Sequence, residues 1–199
     1  LFLESEARYL FMRLTRVQLL AISGVIVLAL VTRLVCFVGL IGSDDLTYNH
    51  RAYEIISGTF EPQLNNQSAR AGMFLPVAVA FKMFGIHEIS SVAFPFLCGL
   101  LTLGLVLWMG ITYLGGWPGI MAGLLYAFLP IDMFHATVLL PDLPSATWMT
   151  ISALLFYQSD RQSAHRKAWG WLGMFLAGLA LGWSYLIKET SVFMAVFLF

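Results

Sequence analysis

The chain has 199 residues, of which 59% are hydrophobic and 11% charged, with eleven basic residues matched by eleven acidic ones. Soluble domains carry about a quarter charged residues, so this composition and a mean hydropathy of +0.81 exclude an ordinary soluble domain and define an integral membrane protein. Zero net charge and the lack of a basic or aromatic-basic patch argue against nucleic acid as a partner.

Leu1 to Arg16 mixes Glu4, Glu6, Arg8, Arg13 and Arg16 with apolar residues, and residues 17–41 are then almost wholly apolar. That run is too long for a signal-peptide core and long enough to cross a bilayer with some tilt, so it is predicted as the first spanning helix. Its one charge, Arg33, lies eight residues from the far end. There the guanidinium either snorkels to the interface or points into a polar cavity beneath Asp44.

Residues 42–88 form a long loop that opens on Gly42-Ser43-Asp44-Asp45-Leu46-Thr47-Tyr48. Ser43 or Asp44 is suited to cap a short helix whose first turn takes both acids near its positive end. Asp44, Tyr48 and Arg51 or Ala52 then share a face, and Gly58 closes the helix as its C-terminal cap. Adjacent acids at the mouth of a spanning helix are either the start of a water-exposed loop or a chemical centre. Thr59 to Ala69 contains Pro62, Asn65 and Asn66 and reads as loop, with Asn66-Gln67-Ser68 matching a glycosylation sequon, a three-residue pattern of little weight alone. Gly72 to Gly85 is apolar but short and carries Lys82, so it is predicted as an interfacial helix.

Further spans are predicted over 89–114, 117–134, 143–158 and 169–187, and another begins at 191–199. The expected fold is therefore all-α, a polytopic transmembrane helix bundle with interfacial helices in the first outer loop. The chain opens on Leu1 and stops inside an apolar run, which reads as the N-terminal part of one larger transmembrane domain. Gly119 with Gly123 and Gly178 with Gly182 have the spacing of closely packed helices in lipid. Cys36 and Cys98 lie in apolar runs as small hydrophobes, and His50, His87, His135 and His165 lack metal-ligand spacing.

Basic residues set the orientation. Arg8, Arg13 and Arg16 before the first span and Arg161, Arg166 and Lys167 between the fourth and fifth fall on one side, which the positive-inside rule makes cytoplasmic. Asp44, Asp45, Arg70, Asp142, Lys188 and Glu189 then converge on the opposite face from separate parts of the chain. A carboxylate there can act as general base, and Arg70 and Lys188 suit the phosphate of a lipid whose head group lies at the interface. Singly, each is also an ordinary interfacial anchor, and Asp142 in Pro141-Asp142-Leu143-Pro144 can simply cap the fourth helix. Adjacent acids can bind a divalent cation, but two without further defined ligands leave metal dependence unassigned.

The pattern Asp44-Asp45-x-x-Tyr48-x-x-x-Ala52 closed by Gly58, in the first large outer loop after one span, resembles the GT-C membrane glycosyltransferases. The likeness is to the branch of protein O-mannosyltransferases and lipid A aminoarabinose transferases, glycosyltransferase family 39. Arg33 late in the first helix, Arg70 ahead of Leu75-Pro76 and Phe84-Gly85, Asp142 before the fourth helix and Lys188-Glu189 after the fifth extend it along the chain. The resemblance implies transfer of a sugar from a polyprenyl-phosphate carrier to a glycan, lipid or protein acceptor on the periplasmic, extracellular or lumenal side. It maps the base onto Asp44, with Asp45 beside it, and leaves the leaving phosphate to positive residues. Prolines often follow the Arg70 position in that family, whereas this chain has Ala71-Gly72. A transporter or flippase-like carrier and a structural subunit are the competing classes. Carriers place ionisable groups near the bilayer midplane, and here the acids sit at the ends of the apolar runs.

Overall fold

A computed structural model of the chain describes residues 14–62, 66–163 and 167–198. Every regular element among them is helical: α1 Arg16–Val35, α2 Asp44–Ser57, α3 Asn66–Ala69, α4 Ala71–Phe84, α5 Glu88–Leu114, α6 Gly116–Ala127, α7 Pro130–Thr137, α8 Asp142–Ser163, α9 Lys167–Ile187, a 3-10 turn Glu189–Val192 and α10 Phe193–Leu198. Arg8, Arg13, Asn65 and Arg166 lie outside the described residues, as do the side chains of Asn66, Ser68, Arg161 and Lys167.

Arg16–Val35, Glu88–Leu114 and Gly170–Ile187 are long and apolar enough to cross a membrane. The first begins at a capping box, in which Thr15 Oγ1 accepts from Gln18 N–H and Gln18 Oε1 accepts from Thr15 N–H. It stops six residues before the apolar run does, at Val35 instead of 41. Gly39 and Gly42 both hold positive φ in the segment that follows, a conformation open to glycine and closed to a continuing helix. The predicted single span 117–134 is instead two helices, α6 and α7, bent by 60° at residues 128–129. Pro130 at the start of α7 has no N–H to give the preceding turn, so the break falls just before it.

Helix α8 is 22 residues long but falls short of the apolarity of the other long helices, and its sequence shows why. Ser145, Ser152 and Ser159 recur every seventh residue and are buried. They face antiparallel α9: Ser145 meets Ser184, Ser152 Oγ donates to the Ala177 carbonyl at 2.8 Å, and Ser159 fills the space over Gly173. Without water as an alternative partner, such hydroxyls bond across the helix pair, as Ser145 and Ser152 do, or back to their own helix, as Ser159 does to the Leu155 carbonyl. Gly119 and Gly123 likewise let α6 close on Gly110 and Leu107 of α5. The other predicted glycine pair is corrected: among the described residues nothing lies within 4 Å of a Cβ added at Gly178 or Gly182, and the packed face of α9 is carried by Gly173, Ala177, Ala180 and Ser184.

Helices α2 and α4 dock on one end of the bundle. Tyr48 and Ala52 of α2 pack with Met73, Phe74, Val77 and Phe81 of α4, against Val92 and Ile187 from the ends of α5 and α9 and Leu139 from the link between α7 and α8. A Cβ on Gly72 would lie 2.8 Å from Ile187 Cγ1 and 2.9 Å from Ile187 N. The Ala71-Gly72 pair is thus what lets α4 start against the end of α9. That contact brings Arg70 to Glu189.

Candidate active site

The loop between α1 and α2 is shaped by acids that bind its amides. Leu40 N–H donates to Glu88 Oε1 at 2.8 Å and Gly39 N–H to the Thr137 carbonyl at 3.0 Å. Asp45, fully buried, accepts from Ile41 N–H at 2.6 Å and Gly42 N–H at 3.3 Å on one oxygen, and from Ser43 N–H at 2.5 Å on the other. Ser43 is the N-cap residue of α2 but makes no side-chain cap bond. The expected side-chain cap is therefore not made, and Asp45 instead holds the amides of the three residues that lead into the helix. Gly58, at φ +74, closes α2 with its N–H on the Glu54 and Ile55 carbonyls.

Gly39 has φ +81 and its missing Cβ leaves the space that the Glu88 carboxylate occupies. Gly39→Ala should therefore cost about 1–2 kcal/mol in backbone strain and also dislodge Glu88 from Leu40. Thermal unfolding of purified protein would read the stability, and proteolysis of the 36–43 segment its order. Unchanged values for both would show that the loop tolerates another backbone conformation.

The acidic pair is divided by this arrangement. Asp44 points away from the loop, with Gln67 Nε2 3.5 Å from its Oδ1 and Arg70 Nη1 3.8 Å from its Oδ2. It is the half-exposed member, and its oxygens are open to a substrate. A divalent cation shared by the two acids would first have to strip Asp45 from three amides. No group of three or more His, Cys, Asp or Glu side chains is placed to hold a metal among the described residues.

Arg70 is the hub. Its Nη1 donates to Tyr48 Oη at 2.7 Å, and its Nε and Nη2 donate to the two Glu189 oxygens at 3.0 and 2.8 Å. The hydrogen bond from Arg70 pulls the Glu189 carboxyl down to about 2, and the same bond holds Arg70 above its ordinary value. A depressed carboxyl contributes stability that is fully present above its unfolded value and lost only as pH falls toward about 2, so the pair is intact at neutral pH. Burial raises the Tyr48 phenol, partly offset by its bond from Arg70, so it stays protonated beside the guanidinium. Next along the chain, Lys188 Nζ donates to Asp142 Oδ1 at 2.6 Å. Asp142 is the first residue of α8, and Lys188 links α9 to the 3-10 turn.

Asp44, Tyr48, Arg70 and Glu189 thus form one network, with Lys188 and Asp142 beside it. Arg33 is elsewhere, and neither expectation for it describes what it does. It is fully buried, its Nη2 is 2.5 Å from Asp132 Oδ2, its Nη1 donates to the Ala29 carbonyl at 3.2 Å, and Tyr126 donates to the other Asp132 oxygen. Its guanidinium carbon lies 5.9 Å from the Tyr126 ring centroid. Asp132 also corrects the expectation that the acids sit only at the ends of apolar runs. An acid inside a predicted span was the available signal, since such a group needs a partner. Glu88 and Gln67 carried no comparable signal.

These helices and this charged end define a polytopic membrane protein with a cluster of ionisable residues, Asp44, Arg70, Asp142, Lys188 and Glu189, at one end of the bundle. The family profile of the dolichyl-phosphate-mannose-protein mannosyltransferases matches residues 73–199, more than half of the chain, and the chain belongs to that family. It is a membrane glycosyltransferase of the GT-C kind. Asp132, Asp142, Lys188 and Glu189 fall inside the matched residues, and Asp44, Tyr48 and Arg70 precede them. No curated protein and no solved structure matches the chain.

Proposed function

We propose that the enzyme moves a sugar from a polyprenyl-phosphate-linked donor to a hydroxyl of a glycan, lipid or protein acceptor, on the non-cytoplasmic face of the membrane. The observation that carries this reading is an accessible carboxylate, Asp44, 3.8 Å from the guanidinium of Arg70. A base and a phosphate-binding cation are thereby held in one site. The acceptor oxygen attacks the anomeric carbon as its proton passes to Asp44. The bond from that carbon to the phosphate oxygen breaks, and the carrier phosphate leaves with the electron pair. Arg70, oriented by Tyr48, and Lys188 stabilise the charge that gathers on the leaving phosphate. A phosphate leaves readily with such help, so the base is the group that the chemistry most needs.

Transfer of labelled sugar from a polyprenyl-phosphate donor in membranes holding the full-length protein tests the assignment. No transfer to any of the three acceptor classes would overturn it. The compartment is tested separately, from the basic residues before α1 and between α8 and α9. In a background without other reactive thiols, Thr59→Cys should react with an impermeant thiol reagent supplied from outside the cytoplasm, and Asp160→Cys should not. Both positions are exposed. The reverse pattern would place the site on the cytoplasmic face.

A further inference from the structure

Both cations assigned to the donor phosphate are already occupied. Glu189 takes two donors of the Arg70 fork, and Asp142 takes the Lys188 ammonium. Three carboxylates, Asp44, Glu189 and Asp142, face these two cations, a formal excess of one negative charge. An arriving phosphate anion therefore meets a repulsive field unless one carboxylate gives way.

Glu189 is the acid placed to do so. Two parallel bonds from a guanidinium to two oxygens are the geometry in which Arg also takes a phosphate, so carboxylate and phosphate compete for one fork. Its side chain is 46% exposed, and it opens the single 3-10 turn between α9 and α10. Arg70 is only 13% exposed and keeps its bond to the buried Tyr48, so the fork stays aimed when the carboxylate leaves.

We propose that Glu189 is a displaceable counter-ion: it occupies the phosphate's place on Arg70 in the empty site, yields to the donor, and returns as the spent carrier leaves. The inference rests on the phosphate-binding reading of Arg70. It also answers a problem of turnover. The donor is a phosphodiester with one negative charge, while the released carrier is a monoester with more and is held more tightly by the same cations. An internal competitor for Arg70 speeds its departure.

The test is binding of a polyprenyl monophosphate to the full-length protein in nanodiscs, together with donor KM and kcat. Glu189→Gln keeps the side-chain length and one acceptor oxygen but removes the competing charge. It should tighten binding by about tenfold and lower KM, because the competent state no longer shares Arg70. Arg70→Lys, which keeps charge and loses the fork, should weaken binding by about tenfold or more. Wild-type binding by Arg70→Lys would overturn the phosphate reading itself. Weakened binding by Arg70→Lys with unchanged or weaker binding by Glu189→Gln would leave that reading standing and overturn the counter-ion role. Equal tightening by Glu61→Gln, at an exposed acid without a place on Arg70, would assign the effect to bulk charge and also overturn it. Should Glu189→Gln fail to fold, Glu189→Asp gives the same decision: its shorter arm weakens the fork, so partial tightening supports displacement and none overturns it.

Discussion

Asp44→Asn should lower turnover by about 100-fold or more, the scale of losing a general base, with little change in folding. The carboxylate is 44% exposed, and its ion pair with Arg70 is long at 3.8 Å. Pairs of this kind contribute roughly 0–1 kcal/mol to stability, and asparagine keeps an acceptor for Gln67. Asp45→Asn behaves differently. Three backbone amides share its two oxygens, and an amide in its place offers one acceptor and sets a donor against the others. That variant should lose both stability and activity through disorder of the 39–43 loop, whereas Asp44→Asn should lose activity alone. The assay is sugar transfer in membranes with expression matched. Near wild-type turnover by a well-folded Asp44→Asn would remove it from the mechanism and leave Asp142 and Glu189 as the accessible acids nearby.

The largest effect on stability is expected inside the bundle. Arg33→Met or Asp132→Leu alone strands a charge at a buried position and should cost about 3–5 kcal/mol. The double variant Arg33→Met with Asp132→Leu replaces the pair by apolar groups and should recover most of that loss. Thermal unfolding of the four proteins in detergent closes the cycle, and additive losses would show that the two groups do not stabilise each other. The pair ties the last turn of α1 to α7, and Gly39 ties the following loop to Thr137 at the end of α7. Loss of the pair should therefore also loosen the loop that carries Asp44. A broken helix beside a buried ion pair is a feature of carriers as well. Here the charges are closed on each other, and the family places the chain among glycosyltransferases.

Membrane class, the helical fold and the three long apolar helices were legible in the sequence because apolar length is a local quantity. So was the glycine that ends α2, where a left-handed residue needs no neighbour to explain it. The convergence of Asp44, Arg70, Asp142, Lys188 and Glu189 followed from counting crossings, and the contacts at one end of the bundle place them together. What counting crossings leaves open is who pairs with whom. Asp44 and Asp45 are neighbours in sequence with the same chemistry. Only the path of residues 36–43, bent by two glycines and held by Glu88 and Thr137, turns one carboxylate onto backbone amides and leaves the other free. Arg33 and Asp132 are 99 residues apart, and their pairing required the bend at Pro130 that aims α7 at the end of α1. The serine heptad of α8 and Gly72 acquired meaning in the same way, because a small or polar residue is costly in lipid until a particular partner surface accepts it.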